Sequence, residues 1–160
     1  MVQDSRALWE GELHFLRRNL IHYLRHWPQG REDWRPAPNT FTLLELASHL
    51  YGLPKAYAAV LREAPREEIF RLMGGPWSAR GPEDLQQMLA EGMEEFRSLL
   101  ASVPAGEFAA RPVPWPFGEP LTPEQLVLNL VTHMYHHRGQ FHVYLKQLGA
   151  PVDTETVYAR

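Results

Sequence analysis

Residues 122–151 read TPEQLVLNLVTHMYHHRGQFHVYLKQLGAP and predict a long helix. Thr122, followed three residues later by Gln125, is a capping box with a proline at the first helical position. Gly149 and Pro151 mark the end, because glycine is favoured just past a helix and proline cannot continue one. Apolar residues between these signals recur every three or four positions. One face of the helix is therefore expected to pack against other helices.

Two histidines share the face of this helix that we expect to point inward. The face comprises Leu126, Leu130, His133, His137, Phe141 or Gln140, Tyr144 and Leu148. Side chains at positions i and i+4 of a helix have β-carbons about 6 Å apart, which allows two imidazoles to reach one ion. His133 and His137 are therefore candidate metal ligands.

Three further amphipathic helices are predicted upstream, and no stretch shows the sustained alternation of a strand. They run from about Asp4 or Ser5 to His26, from the capping residue Thr42 to about Glu63, and from about Pro82 to Pro104, with a short additional helix at 66–73. Four long helices, each with an apolar stripe, predict an all-α fold, namely an antiparallel four-helix bundle. The whole chain, 1–160, is interpreted as a single domain.

A long connection at residues 105–121 joins the third and fourth of these long helices. It holds four prolines together with Trp115 and Phe117. Ordered loops of this length often shape a binding site, so one interpretation is a strap laid across the bundle. The other is a loop that covers one end of the bundle, and the sequence leaves both open.

The second long helix supplies a third candidate ligand. It begins with a capping box formed by Thr42 and Glu45, and Pro54 is expected to kink it about one turn after His49. His49 shares a face with apolar residues and should point into the core. Inward histidines on two facing helices would form a three-histidine site with open coordination positions, as in catalytic metal sites. The alternative is that all three are hydrogen-bonded core histidines.

The other histidines are expected to lie away from this group. His136 and His142 fall off the inward face of their helix and should be surface or flanking residues. Two polar residues of the first helix, Glu12 and Asn19, occupy core-adjacent positions; a solvated face is the favoured interpretation. For the three histidines of that helix, His14, His22 and His26, two alternatives are open: support of the metal ligands, or simple solvation.

Composition narrows the functional classes. The chain has no cysteine, which excludes disulfides, cysteine nucleophiles and thiolate metal sites. A net charge of −3 gives no footprint for nucleic-acid binding. No leader peptide or membrane-length apolar run is visible, so we expect a cytoplasmic protein that binds neither nucleic acid nor membrane.

Two stretches resemble the DinB/YfiT-like family of bacterial four-helix bundles. They are TLLELASHL at 42–50, and LVTHMYHHRGQF at 130–141 with the leucine-rich end that follows. The family pattern has one histidine on the second helix and H-x-x-x-H-R-x-Q on the fourth. The chain matches it with its three histidines, Arg138 and Gln140. It departs from the pattern at Pro54 and in an insertion at 64–80, which bear on the shape of the pocket.

The resemblance implies that His49, His133 and His137 bind a divalent ion, commonly nickel or zinc. It also implies a homodimer and a small-molecule substrate. Some relatives transfer low-molecular-weight thiols, and others are regarded as metal-dependent hydrolases. Without a cysteine, a thiol nucleophile would have to come from the substrate, whereas hydrolysis would use water activated by the ion.

Three functions remain open from the sequence. The first is a metal-dependent transferase or hydrolase, and the second is a non-catalytic metal or small-ligand binder of a stress response. The third is a structural, dimerising bundle. No residue is identified as a general acid or base. Arg138 is a possible substrate contact, or a structural brace for Glu45 or for the 105–121 loop.

Overall fold

The computed structural model describes residues 5–159, which form an all-helical fold. The helices are α1 (Arg6–Leu24), α2 (Leu43–Leu61), α3 (Arg66–Gly74), α4 (Pro82–Ser102), α5 (Pro123–Gln147) and α6 (Thr154–Tyr158), with a 3₁₀ turn at Ala105–Glu107. This confirms the all-α prediction of four long helices, α1, α2, α4 and α5. The predicted start of α1 at Asp4 lies outside the described residues. No described helix has the length and apolarity needed to cross a membrane.

α2 is the central helix of the bundle. It packs against α3, α4 and α5, and from Leu50 to Leu61 every residue except Lys55 is buried. α4 approaches α2 closely at Gly92, where an added β-carbon would lie 2.7 Å from the backbone nitrogen of Lys55. The two helices therefore meet through backbone at this point, and a larger residue at Gly92 would push them apart.

The predicted capping boxes at the starts of α2 and α5 are confirmed. The Thr42 hydroxyl accepts from the Glu45 amide while the Glu45 carboxylate accepts from the Thr42 amide, and Thr122 and Gln125 form the same reciprocal pair. Pro54 lies inside α2, which continues as one helix to Leu61. These caps satisfy amides that have no partner within the helix.

The 105–121 connection lies against α2 and the start of α5. Phe108 and Val113 are buried, and Val113 pairs with Leu121 in an isolated antiparallel bridge. The ring of Trp115 lies 5.7 Å from that of Tyr57 on α2. The connection is thus an ordered segment that brings an aromatic side chain onto the central helix.

The C-terminal end departs from the sequence analysis. α6 was not predicted, although Asp153 and Thr156 form a capping box that marks its start. The predicted solvated position of Asn19 is wrong, because its side chain is fully buried. Its amide donates to the carbonyls of Thr156 and Ala159, both at 2.9 Å, which fastens α6 to α1.

Candidate metal centre

α2 and α5 bring three imidazoles together. The Nε2 atoms of His133 and His137 are 3.0 Å apart, and the Nε2 atom of His49 lies 3.3 Å and 3.1 Å from them. The pair on α5 meets because residues four apart share a helix face. His49 completes the group because α2 packs against that face of α5.

The other ring nitrogen of each histidine has its own acceptor. Nδ1 of His49 lies 2.8 Å from the carbonyl oxygen of Met73, and Nδ1 of His137 lies 2.7 Å from Oε1 of Gln140. Nδ1 of His133 lies 3.2 Å from the hydroxyl of Tyr57.

The Tyr57 hydroxyl gives its own proton to Oδ1 of Asn129, so it accepts from His133. A proton on Nδ1 of each ring leaves each Nε2 with a lone pair. All three Nε2 atoms are thus in the ligand form, as in metal sites whose histidines donate their second N–H to a protein acceptor.

This arrangement fits a divalent cation. Three lone pairs directed at one another repel unless a positive centre lies between them. Zn–N bonds of about 2.0–2.1 Å at tetrahedral angles place neighbouring ligand nitrogens about 3.3 Å apart, close to the separations observed here. Among residues 5–159, His49, His133 and His137 are the histidine or carboxylate side chains that lie close enough together to hold one metal ion.

Burial keeps these imidazoles neutral. Desolvation lowers the pKa of His133 to about 4, helped by charge repulsion from His137, His49 and His136. Desolvation also lowers the pKa of His137 to about 4, against the opposing hydrogen bond to Gln140, and it lowers the pKa of His49. Neutral imidazole is the form that binds metals, so the site is in its binding form near pH 7.

The histidines are only half-buried, which corrects the prediction that they point into the core. The buried stripe of α5 is centred on Leu130, Met134 and Phe141, and His133 and His137 lie at its edge toward α2. A site at the edge of the core is open to ligands from solvent, whereas a central one would not be.

A groove of about 510 Å³ borders the site at His137. Its walls include Arg35, Phe41, Glu45, Gln140 and Tyr144. Phe41 is 40% exposed, and its ring lies 5.8 Å from that of His49. The groove thus offers an apolar ring and charged groups beside the histidines.

Arg138 lies against α1 and α6. Its guanidinium donates to Oδ1 of Asn19 at 2.8 Å and to the carbonyl of Val157 at 3.2 Å. It also sits 4.6 Å from the centre of the Tyr135 ring. These contacts are those of a brace, with partners other than Glu45 or the 105–121 loop; a role in contacting substrate stays a prediction.

The flanking histidines stay outside the three-membered group. The ring of His136 lies 4.8 Å from that of His137, and Nδ1 of His142 lies 2.8 Å from the Tyr23 hydroxyl. Tyr57 and Asn129 were not predicted as partners of the site. Asn129 lies one helical turn before His133, so its i+4 spacing was an available clue. Tyr57 lies two turns after His49, and its contact with His133 on another helix has no such local signal.

The chain is similar to known proteins in both sequence and fold. A family model for the DinB superfamily matches residues 12–141. The structure is similar to that of a protein assigned to the DinB family from Exiguobacterium sibiricum, with a TM-score of 0.72 and 21% identity over 98% of this chain and 99% of the other.

It is also similar to a DinB-like protein from Bacillus subtilis, with a TM-score of 0.64 and 17% identity over 89% of this chain and 94% of the other. No sequence among curated proteins matches the chain. The family match spans most of the chain, and both similar structures have the same fold. The chain therefore belongs to the DinB superfamily.

Proposed function

We propose that this protein binds one divalent metal ion, nickel or zinc, through His49, His133 and His137, and uses it in the chemistry of a small molecule. The observation that carries the proposal is the convergence of three Nε2 atoms within 3.3 Å while every Nδ1 faces an acceptor. A core of hydrogen-bonded histidines would need a proton between those Nε2 atoms, and the tautomers leave none.

The protein's part is to hold three rings in place. Met73, Gln140 and Tyr57 each fix one imidazole by accepting its Nδ1–H, which also makes the ring a better ligand. Three protein ligands leave coordination positions open, as in catalytic sites. When bound, the ion supplies a Lewis acid that lowers the pKa of a coordinated nucleophile.

The groove beside His137 suits a small substrate with mixed character. Phe41 offers an apolar ring, and the guanidinium of Arg35 lies 3.7 Å from the Glu45 carboxylate at the groove wall. The Tyr144 hydroxyl donates to the Phe41 carbonyl at 3.2 Å, which holds this wall to α5. Substrate would bind between this wall and the histidines.

Transfer of a low-molecular-weight thiol is the favoured reaction, and hydrolysis is the second candidate. The histidine group includes no carboxylate, and Glu45 is engaged by its helix cap and by Arg35. The site therefore has no ready base for water. A thiol, with an ordinary pKa of about 8.5, ionises far more easily than water and needs less help. Soft sulfur ligands also suit zinc.

The test is metal content followed by turnover. Tag-free protein should hold about one zinc or nickel per chain after dialysis, and a matched His22→Ala variant should do the same. The loaded protein should then consume a thiol with an electrophilic co-substrate faster than it hydrolyses esters. Metal retention without turnover of either kind would favour the non-catalytic binder. No metal uptake would overturn the proposal.

A further inference from the structure

A second cavity lies between α2, α3 and α4 on the other side of Trp77 from the metal centre. Its volume is about 450 Å³, within the range of ligand pockets. The ring of Trp77 lines this cavity and also lies 5.7 Å from the ring of His49. None of the three site histidines lines it, so the two spaces share one indole and have separate walls.

Two cations face this cavity without a partner. Lys55 is the single charged residue of α2 between Leu50 and Leu61, and it is half-buried. Arg71 reaches the cavity from α3. Within residues 5–159, neither side chain makes an ion pair or a hydrogen bond. An anion in the cavity would therefore meet two positive charges that have no counter-ion of their own.

The carboxylates at the cavity wall are already engaged. Asp84 accepts from the backbone amide of Arg80 at 2.9 Å and lies 3.6 Å from its guanidinium. Glu91 accepts from the side-chain amide of Gln87 at 2.8 Å. They therefore leave Lys55 without a close counter-ion.

The rest of the cavity wall is apolar. It includes Leu72, Pro76, Met88 and the Trp77 indole, whose N–H is already engaged by the Leu72 carbonyl at 3.2 Å. An inorganic ion would leave this surface in contact with water. An organic anion would cover it while its charge meets the two cations.

We propose that this cavity binds a small organic anion, with its phosphate or carboxylate at Lys55 and Arg71 and a flat apolar body against Trp77 and Met88. The site goes beyond the metal-dependent function and does not depend on it. Charge-assisted contacts to two cations supply the attraction, and the apolar wall supplies the preference for an organic body.

The experiment is a titration with phenyl phosphate, followed by the indole N–H resonance of Trp77, which a Trp77→Phe variant assigns. Zinc-loaded and chelator-treated protein are titrated in parallel, because phosphate could also bind a metal. We expect a saturable shift of this resonance in both. Equal binding after chelation, or in a His137→Ala variant, separates this site from the metal proposal.

Matched variants locate the anion. Lys55→Met keeps the aliphatic stem and should weaken binding about tenfold or more, as loss of a charge-assisted contact does. Arg71→Gln, on the exposed side of α3, should act similarly without touching the core. Lys146→Met removes the other lysine of the chain, on α5, and should leave binding unchanged.

Three results would overturn the inference. The first is no saturable shift of the Trp77 resonance with phenyl phosphate at millimolar concentration. The second is unchanged affinity in both Lys55→Met and Arg71→Gln. The third is inorganic phosphate binding as tightly as phenyl phosphate, which would identify a plain anion site with no part for the apolar wall.

Discussion

Two pairs of histidines in this protein have the same spacing and different surroundings. His133 and His137 on α5 are four residues apart, as are His22 on α1 and His26 just beyond its end. The ring centres of the two pairs lie 4.8 Å and 5.4 Å from each other. The α5 pair meets a third imidazole and has an acceptor at each Nδ1.

Across residues 5–159, the pair at the end of α1 has no third imidazole and no acceptor for its ring N–H groups. Nε2 of His26 is buried without a hydrogen-bond partner in the described structure, and the ring contact of this pair is edge to face. The i+4 spacing by itself only makes it possible for two imidazoles to reach the same ion. The packing of a second helix and three acceptors turn one pair, and not the other, into a candidate metal centre.

The largest expected effect comes from removing one imidazole of the α5 group. His133→Ala or His137→Ala should weaken zinc binding at least a hundredfold, because two ligands remain where three converged. Zinc affinity is measured by competition with a chelating dye, and helix content by circular dichroism. His22→Ala is the matched control. If His22→Ala lost as much zinc affinity as His133→Ala or His137→Ala, the α5 pair would not be the metal site.

The next largest effect concerns the opposite side of α5, where Arg138 meets Asn19. Asn19→Ala removes one acceptor of the Arg138 guanidinium and leaves the carbonyls of Thr156 and Ala159 without their amide donor, so it should lower the free energy of unfolding by about 2–3 kcal/mol. Zinc stoichiometry should stay the same, because the histidines face α2. Chemical denaturation measures the change, with exposed Arg18→Ala on the same helix as the control. Loss of zinc in Asn19→Ala would mean that the contact between Asn19 and Arg138 also shapes the metal site.

Acid should destabilise the metal-free protein through the α5 pair. The pKa values of His133 and His137 fall to about 4 in the folded chain, below the ordinary 6.5. Between those two values the unfolded chain binds more protons, so stability rises with pH and is lost as pH falls from 6.5 toward 4.

Half-exposed rings are screened by solvent, so we expect a loss of about 2 kcal/mol over this range of pH. Urea unfolding at several pH values measures it. The loss should persist in His22→Ala and shrink in a double His133→Gln, His137→Gln variant. A double variant with the full pH dependence would assign the effect to other groups.

The smallest expected effect on zinc affinity comes from removing the residues that accept from the Nδ1–H groups. Gln140→Leu removes the acceptor of His137 and should weaken zinc binding about tenfold. This is the lower end of the loss in metal affinity that follows when a residue orienting a ligand is replaced. Tyr57→Phe does the same for His133. Both are compared by the same dye competition, with Gln147→Leu near the end of α5 as a control. Unchanged affinity in both would show that packing alone orients the rings.

Much of the fold was predictable because its determinants are local. The capping boxes at Thr42 and Thr122, and the periodic apolar stripes, set the helix ends and faces of α2 and α5. α6 was not predicted because its five residues are too few to show a periodic apolar pattern, although the capping box at Asp153 was present. Asn19 was placed in solvent because its partners are carbonyls at the far end of the chain.

The sequence by itself determined that His133 and His137 share a helix face, and that no cysteine is available as ligand or nucleophile. Those properties follow from helical geometry and composition. Tertiary structure alone decided that His49 meets them at about 3 Å, that Tyr57 orients His133, and that Lys55 faces a cavity. The physical reason is that such contacts depend on how α2 lies against α3, α4 and α5, which no short-range pattern encodes.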